Sequence, residues 1–568
     1  MAKFKSHSFI KFLALLLVAP LFSTTLQGQD PLLDIIEKEL YRYKEELSKE
    51  SLAPYFLSCR VEDVTSTTIS ATLGYLTNSS NSRIVALLPE VRVGTPQFDN
   101  FHNNATGAPL PLFSAPEPIL LPYDSKTGES AIKQILWNEV MSRYRYAVAN
   151  YNRLTSSAVA GSKESDKSPD FTPVKAENYY RPPLQISDVI MDIPKEEGRA
   201  KKLSATFEKY PQILEGNLLI RQKIVRKSFV STEGSKIAHN IVHNSLMVRG
   251  MVKADDGMEL PLISSYFSFD KDSLPSDQFI EEEIEQMAER LIKLKNAPVV
   301  QPYTAPALLS GSAAGVFFHE IFGHRIEGQK MKSDSDGQTF KKMVGREVLP
   351  TTLSVYDDPT LTFYNNTDLS GHYKFDDQGV AAERVVVVED GVLKNFLMTR
   401  TAIEGFPRSN GHARAEIGYD PTSRQSNLIV ESSDHKSEEE LRQLLIAEIE
   451  REGKEYGFFF REVTGGFTIT GRSTPNAFNV TPLEVYRVYP DGREDELVRG
   501  VDLIGTPLSM FSNIIYAGGK SETFIGNCGS LSGFVPVTAT APAILVNKVE
   551  LQMKPRARSL PPILKRPL

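Results

Sequence analysis

The chain has 568 residues, 41% hydrophobic and 24% charged, and a formal net charge of −7 from 64 basic and 71 acidic side chains. Those shares are ordinary for a soluble globular protein, and the length predicts two or three domains. No basic block occurs anywhere in the chain, which argues against nucleic-acid binding.

The first element is a targeting segment over residues 1–28. Lys3, Lys5 and Lys11 precede an apolar run from Phe12 to Phe22, and a polar stretch follows. An apolar core of about eleven residues is too short to span a bilayer and suits a signal peptide cleaved near Gly28. No second long apolar run exists. The expected protein is exported, periplasmic or extracellular, with no membrane span.

Residues 30–195 read as a mixed α/β domain. Leu32, Ile36, Leu40, Tyr43 and Leu47 recur at helical spacing. A Pro-punctuated mixed region leads to a second helix over 129–152, and the small, polar stretch 155–170 reads as a loop or linker. Residues 196–295 form a strand-rich middle segment that ends in a helix. His239 and His243 share one face of a strand there, and without a glutamate partner they are expected at the surface. The helix over 277–294 has a Ser276/Asp277 cap and buries Ile284, Met287, Ala288 and Leu291.

Residues 296–555 form a β-rich C-terminal domain. Asp390-Gly391 and Asp491-Gly492 signal hairpin turns, Ser437 and Glu440 a capping box, and the aromatic run at 456–460 core. No repeat of 20–50 residues is apparent, which excludes solenoids and propellers. The fold class is α+β: a mixed α/β N-terminal part, then a β-rich domain that carries a metal-binding helix.

That helix contains His319-Glu320-Ile321-Phe322-Gly323-His324. Two imidazoles bracketing a carboxylate supply two neutral metal ligands and a base for water. The histidines stand at i and i+5, which at about 100° per residue leaves them roughly 140° apart on a regular α-helix. Either a π-bulge brings them round or Gly323 ends the helix before the second. Glu327, three residues beyond His324, is a hydrogen-bond partner for a ligand imidazole, a rival third ligand, or a solvated side chain. The cysteines are Cys59 and Cys528. Export permits a disulfide between them, although one bridge over so long a span would be an odd staple. Cys528 also lies among Gly526, Gly529 and Gly533, where a tight turn can present a thiolate.

The run from Gly311 to Gly328 resembles the signature of the TldD/PmbA family of metallopeptidases. Asp376–Val380 leading into Val385–Leu393, Asn410–Arg414, and Gly526–Gly529 followed by Val535-Pro536-Val537 resemble further family segments. Together they cover about 290–550. The resemblance implies Cys528 as third ligand beside His319 and His324, with Glu320 as general base. It also implies one Zn2+ per chain, although ligand softness admits another divalent metal. His412 and Arg414 are candidates to position a substrate carbonyl or carboxylate, and His412 is as readily a structural group.

The expected function is exported, zinc-dependent hydrolysis of unfolded peptides or protein fragments, and the resemblance implies a homodimer or a heterodimer with a related subunit. The alternatives are a processing protease for one peptide or leader substrate, and a non-catalytic partner subunit or binding protein of the same fold. Nucleic acid is not expected as a partner.

Overall fold

The computed structural model describes residues 30–102, 119–120, 128–159, 166–332, 338–468 and 478–553. The expected signal peptide lies outside the described residues. Among them, no helix is long and apolar enough to cross a membrane.

The N-terminal half is built on one eight-stranded sheet. Its centre is a long hairpin, Pro54–Thr72 with Tyr75–Thr95, followed by Glu215–Ser231, Lys236–Lys253 and Glu259–Ser268, all antiparallel. Alternation divides the sheet's two faces. Leu57, Cys59, Val61, Ile69 and Ala71 point to a layer of helices. Pro31–Leu47 and Glu129–Val159 cover one end of that face, and Ile193–Ala205 and Asp277–Asn296 the other. Arg60 and Glu62, one residue out of phase, point instead at the C-terminal domain. The sheet unites strands on both sides of residue 195, where the sequence suggested a division.

The first helix caps on Asp30, with proline at its first position where no N–H is required. Asp277–Asn296 starts on the Ser276 hydroxyl and buries Ile284, Met287, Ala288 and Leu291. The Ser437–Glu440 capping box forms as expected. At the turn between Val385–Glu389 and Val392–Leu393, Asp390 and Gly391 have φ of 46° and 79°, the left-handed pair that a tight hairpin needs.

The C-terminal half is an eleven-stranded sheet. Five of its strands pair in a closed ring: Tyr303–Leu309, Gly457–Thr468, Phe478–Val488, Val501–Gly505 and Gly533–Met553. The helix Gly311–Ile321 packs on this ring. Its N-terminal turns are small by necessity. A Cβ on Gly311 would stand 2.6 Å from the Ala541 carbonyl oxygen, and one on Gly315 would stand 2.6 Å from that of Ala539. Missing side chains let the helix rest on bare strand backbone. Phe317, Phe318 and Phe322 fill the core beyond, with Phe458 and Phe460 from the aromatic run.

Polar contacts stitch the halves together. Arg400 is 1% exposed, forks onto Glu233 at 2.7 and 2.8 Å, and lies 3.6 Å from the Phe171 ring centroid. Asp377 takes Lys227 at 2.8 Å. Asp170, in the stretch read as a linker, is buried between His102 and Lys332. Its carboxylate makes that end of the stretch part of the packed structure.

Candidate metal centre

The helix that starts at Gly311 stops at Ile321, and Gly323–Arg325 continues as a tighter 3-10 turn. His319 and Glu320 therefore sit on the last α-helical turn and His324 on the turn after it. No π-bulge is present; of the two routes open to an i,i+5 pair, the helix end is the one taken. Glycine at 323 leaves room for the Gln425 amide, since a Cβ there would fall 1.8 Å from Gln425 Oε1 and the side chain would have to move. The two imidazoles converge with ring centroids 5.2 Å apart.

Cys528 joins them from the strand Ile514–Ser530, two residues before its hairpin turn into Gly533–Met553. It pairs in register with Val535, so its side chain points inward with Val535 and Val537. Ligand atoms of His319, His324 and Cys528 all lie within 4.8 Å of one another, and all three residues are buried. The sulfur is 3.4 Å from His324 Nε2. Both cysteines are free thiols, and Cys59 is buried in the N-terminal core.

Glu320 Oε2 lies 4.0 Å from His324 Nε2, which puts a carboxylate at the mouth of the ligand set. Glu327 is fully buried behind His324, with Oε1 3.3 Å from Nδ1 and Oε2 2.5 Å from Lys330 Nζ. It acts as the acceptor that fixes a ligand ring, and the solvated alternative is excluded by its burial.

The electrostatics suit a metal. Burial alone would push the Cys528 thiol up and the His324 imidazole down. Their mutual field overrides both, helped by His319 beside the sulfur and Glu327 behind the ring, so the thiol ionises well below its usual value and His324 rises. Glu327 is likewise held down to about 2: burial opposes ionisation, but Lys330 and His324 favour it. His319 Nδ1 is buried and meets no hydrogen-bond partner among the described residues. A thiolate and two imidazoles, one with an unmet nitrogen, form a donor set that fits zinc.

Two residues that sequence reading passed over complete the shell. Arg424 is fully buried and donates to Ser532 Oγ at 2.8 Å, to the Gly533 carbonyl at 2.9 Å, and to the Cys528 carbonyl. Its Nε stands 3.7 Å from Glu327. Gln425 donates to the His319 carbonyl at 3.3 Å. The one signal for them is the polar run Ser423–Asn427 directly before apolar Leu428–Val430.

The remaining candidates are separate from the ligands. His412 has both ring nitrogens engaged, by Asn410 at 2.9 Å and Asp357 at 3.2 Å, and is 0% exposed. That geometry is structural and leaves no nitrogen for substrate. Arg414 touches the shell indirectly, donating to the Gln425 carbonyl at 2.6 Å. His239 and His243 do share a strand face, but they are not surface residues. His239 is 7% exposed, and His243 packs on Phe267 and Phe269. The C-terminal domain covers that end of the sheet, which a reading of one strand cannot foresee.

Residues 302–553 match the PmbA/TldA metallopeptidase C-terminal domain. That domain belongs to the TldD/PmbA family. The chain is 29% identical to a metalloprotease of Archaeoglobus fulgidus over 47% of its own length and 57% of that protein's. It is 25% identical to a zinc metalloprotease TldD homolog of Saccharolobus solfataricus over 60% of its length and 72% of that relative's. TldE from Thermococcus kodakarensis superposes with a TM-score of 0.59 at 12% identity, covering 91% of this chain and all of that one. This last likeness extends the shared fold to the N-terminal half.

Proposed function

We propose that the protein is a zinc-dependent peptidase of the TldD type. The observation that carries this reading is the convergence of His319, His324 and Cys528 within 4.8 Å, with Glu320 4.0 Å from the His324 ring. Three protein ligands with a carboxylate alongside is the composition of a catalytic rather than a structural zinc site, which closes all four positions. The names of the Archaeoglobus and Saccharolobus relatives support it.

His319, His324 and Cys528 would hold the ion. Bound zinc supplies a Lewis acid that polarises a peptide carbonyl and acidifies water. Glu320 accepts a proton from the attacking water and returns it to the leaving amine. Glu327 holds the His324 ring, while Arg424 and Gln425 hold the hairpin and helix end that carry the ligands.

An unfolded peptide is the substrate that best fits a site set among strands, because an extended chain can add to a strand edge through its main chain. Export and pairing with a second subunit complete the proposal; the amino-terminal apolar run motivates the first and the likeness to TldE the second. In Glu320→Gln the metal should be retained and cleavage of an unfolded protein lost. Cleavage at the wild-type rate would remove the glutamate from the mechanism.

A further inference from the structure

Cys528 stands where the C-terminal sheet gives it least support. From Thr538 onward the strand Gly533–Met553 is flanked on its other side by Asn427–Ser432, but residues 533–537 pair only with residues 526–530 among the described residues. The end of the hairpin that carries Cys528 is therefore a two-stranded extension. Such a ribbon is marginal by itself and keeps its place only when packed on something else.

What packs on it is the loop between Ala413–Arg414 and Thr422–Ser423, two short strands that pair with each other. The Glu416 amide donates to the Ser532 carbonyl at 2.9 Å, and the Phe534 amide donates to Glu416 Oε2 at 2.9 Å. Gly533, at φ 76°, comes so close that a Cβ there would stand 2.7 Å from Glu416 Cβ and 3.0 Å from Tyr419 Cδ2.

The other side of this loop is held from the N-terminal half. Arg60 is 5% exposed; its Nη2 donates to the Tyr419 carbonyl at 3.0 Å, and its Nη1 lies 3.4 Å from Asp377 Oδ2. Asp377 accepts from the Ala415 amide at 2.8 Å, and its own amide donates to the Ala413 carbonyl at 2.8 Å. Lys227, on the strand beside that of Arg60, donates to Asp377 Oδ1 at 2.8 Å. Two neighbouring strands of the N-terminal sheet thus hold the loop that holds the turn.

We infer that Arg60 and Lys227 are positioning residues for Cys528, acting through Asp377 and the loop 415–421. The N-terminal half then completes the metal centre without supplying a ligand. Arginine suits position 60 because its planar fork reaches a carbonyl and a carboxylate together, whereas an ammonium is a single point. The inference rests on the zinc site of the proposed function and adds what fixes its third ligand.

The test uses the full-length protein stripped of metal. Zn2+ affinity is read against a chromophoric chelator, and Co2+ is added because its thiolate charge-transfer absorption reports the sulfur and not the imidazoles. Arg60→Met should weaken zinc about tenfold and Lys227→Met about threefold, each with a weaker thiolate band per bound cobalt. Asp256→Asn is the control. It breaks the 2.9 Å pair with Arg499, which also joins the two halves but includes no residue of the loop or the turn. That variant should leave both metal readings within about twofold of wild type. Unchanged readings in Arg60→Met overturn the inference; should that variant not fold, unchanged readings in Lys227→Met, at a partly exposed position, do the same. Equal losses in Asp256→Asn also overturn it, since any loosening of the halves would then suffice. The parent reading fails separately: an unsubstituted protein without a thiolate band removes Cys528 from the ligands, and this inference falls with it.

Discussion

Replacing Glu327 with glutamine keeps the side chain's shape and removes one negative charge at 0% exposure. Three groups feel the loss: His324 at 3.3 Å, Lys330 at 2.5 Å and Arg424 at 3.7 Å. Lys330 is partly exposed and can turn to water, whereas Arg424 is sealed in. Stranding a buried charge costs about 3–5 kcal/mol, and the bonds Arg424 keeps to Ser532, Gly533 and Cys528 place this case at the lower end. The glutamine carbonyl can still accept from His324, so the ring stays oriented but becomes a weaker donor to the metal. Loss of such a partner typically lowers metal affinity about 10–100-fold. Zinc affinity is read by competition with a chromophoric chelator, and stability from urea midpoints of metal-stripped protein. Zinc affinity within about twofold of wild type, with an unmoved urea midpoint, would refute the assigned role.

Two further predictions concern the frame around the site. In Gly315→Val, a Cβ 2.6 Å from the Ala539 carbonyl must push the helix off the strand; the expected cost is about 1–3 kcal/mol, and an unchanged thermal midpoint would show that the helix does not rest there. His239 has its ring lowered from 6.5 to about 4 by burial, with Lys227 adding to the effect. The unfolded chain therefore binds a proton that the folded one refuses. Stability is complete above pH 6.5 and is lost as pH falls toward 4, by about 3 kcal/mol from this residue. His239→Phe should flatten that part of the curve in urea titrations at several pH values, and an identical fall in both proteins would count against the argument.

The helices Pro31–Leu47, Glu129–Val159, Asp277–Asn296 and Glu438–Arg451 were legible because their apolar residues repeat at helical spacing, and two of them carry serine caps, at Ser276 and Ser437. His319, Glu320 and His324 were legible because they are adjacent and chemically distinctive. Cys528 was not legible by itself. It meets His324 across 204 residues of sequence, and only family resemblance linked the two. The hairpin 54–95 escaped detection because Ser, Thr and Asn crowd its outer half, where the strands lack a clear apolar face. Arg424 and Gln425 were passed over for a related reason: a buried polar side chain looks the same in sequence as a solvated one. The i,i+5 spacing did carry real information, because the geometry that forbids a shared face on one helix also demands the break found at Phe322 and Gly323.

The strand Gly533–Met553 supports two parts of the ligand set. Ala539 and Ala541 seat the helix that bears His319, and Val535 faces Cys528 across the hairpin. As the chain is synthesised, the histidines emerge some two hundred residues before the thiol, and the strand that holds the helix emerges later still. A ribosome-bound chain thus lacks first its third ligand and then the backbone on which the helix rests. A chain cut short before that strand therefore has no backbone on which the ligand helix can rest.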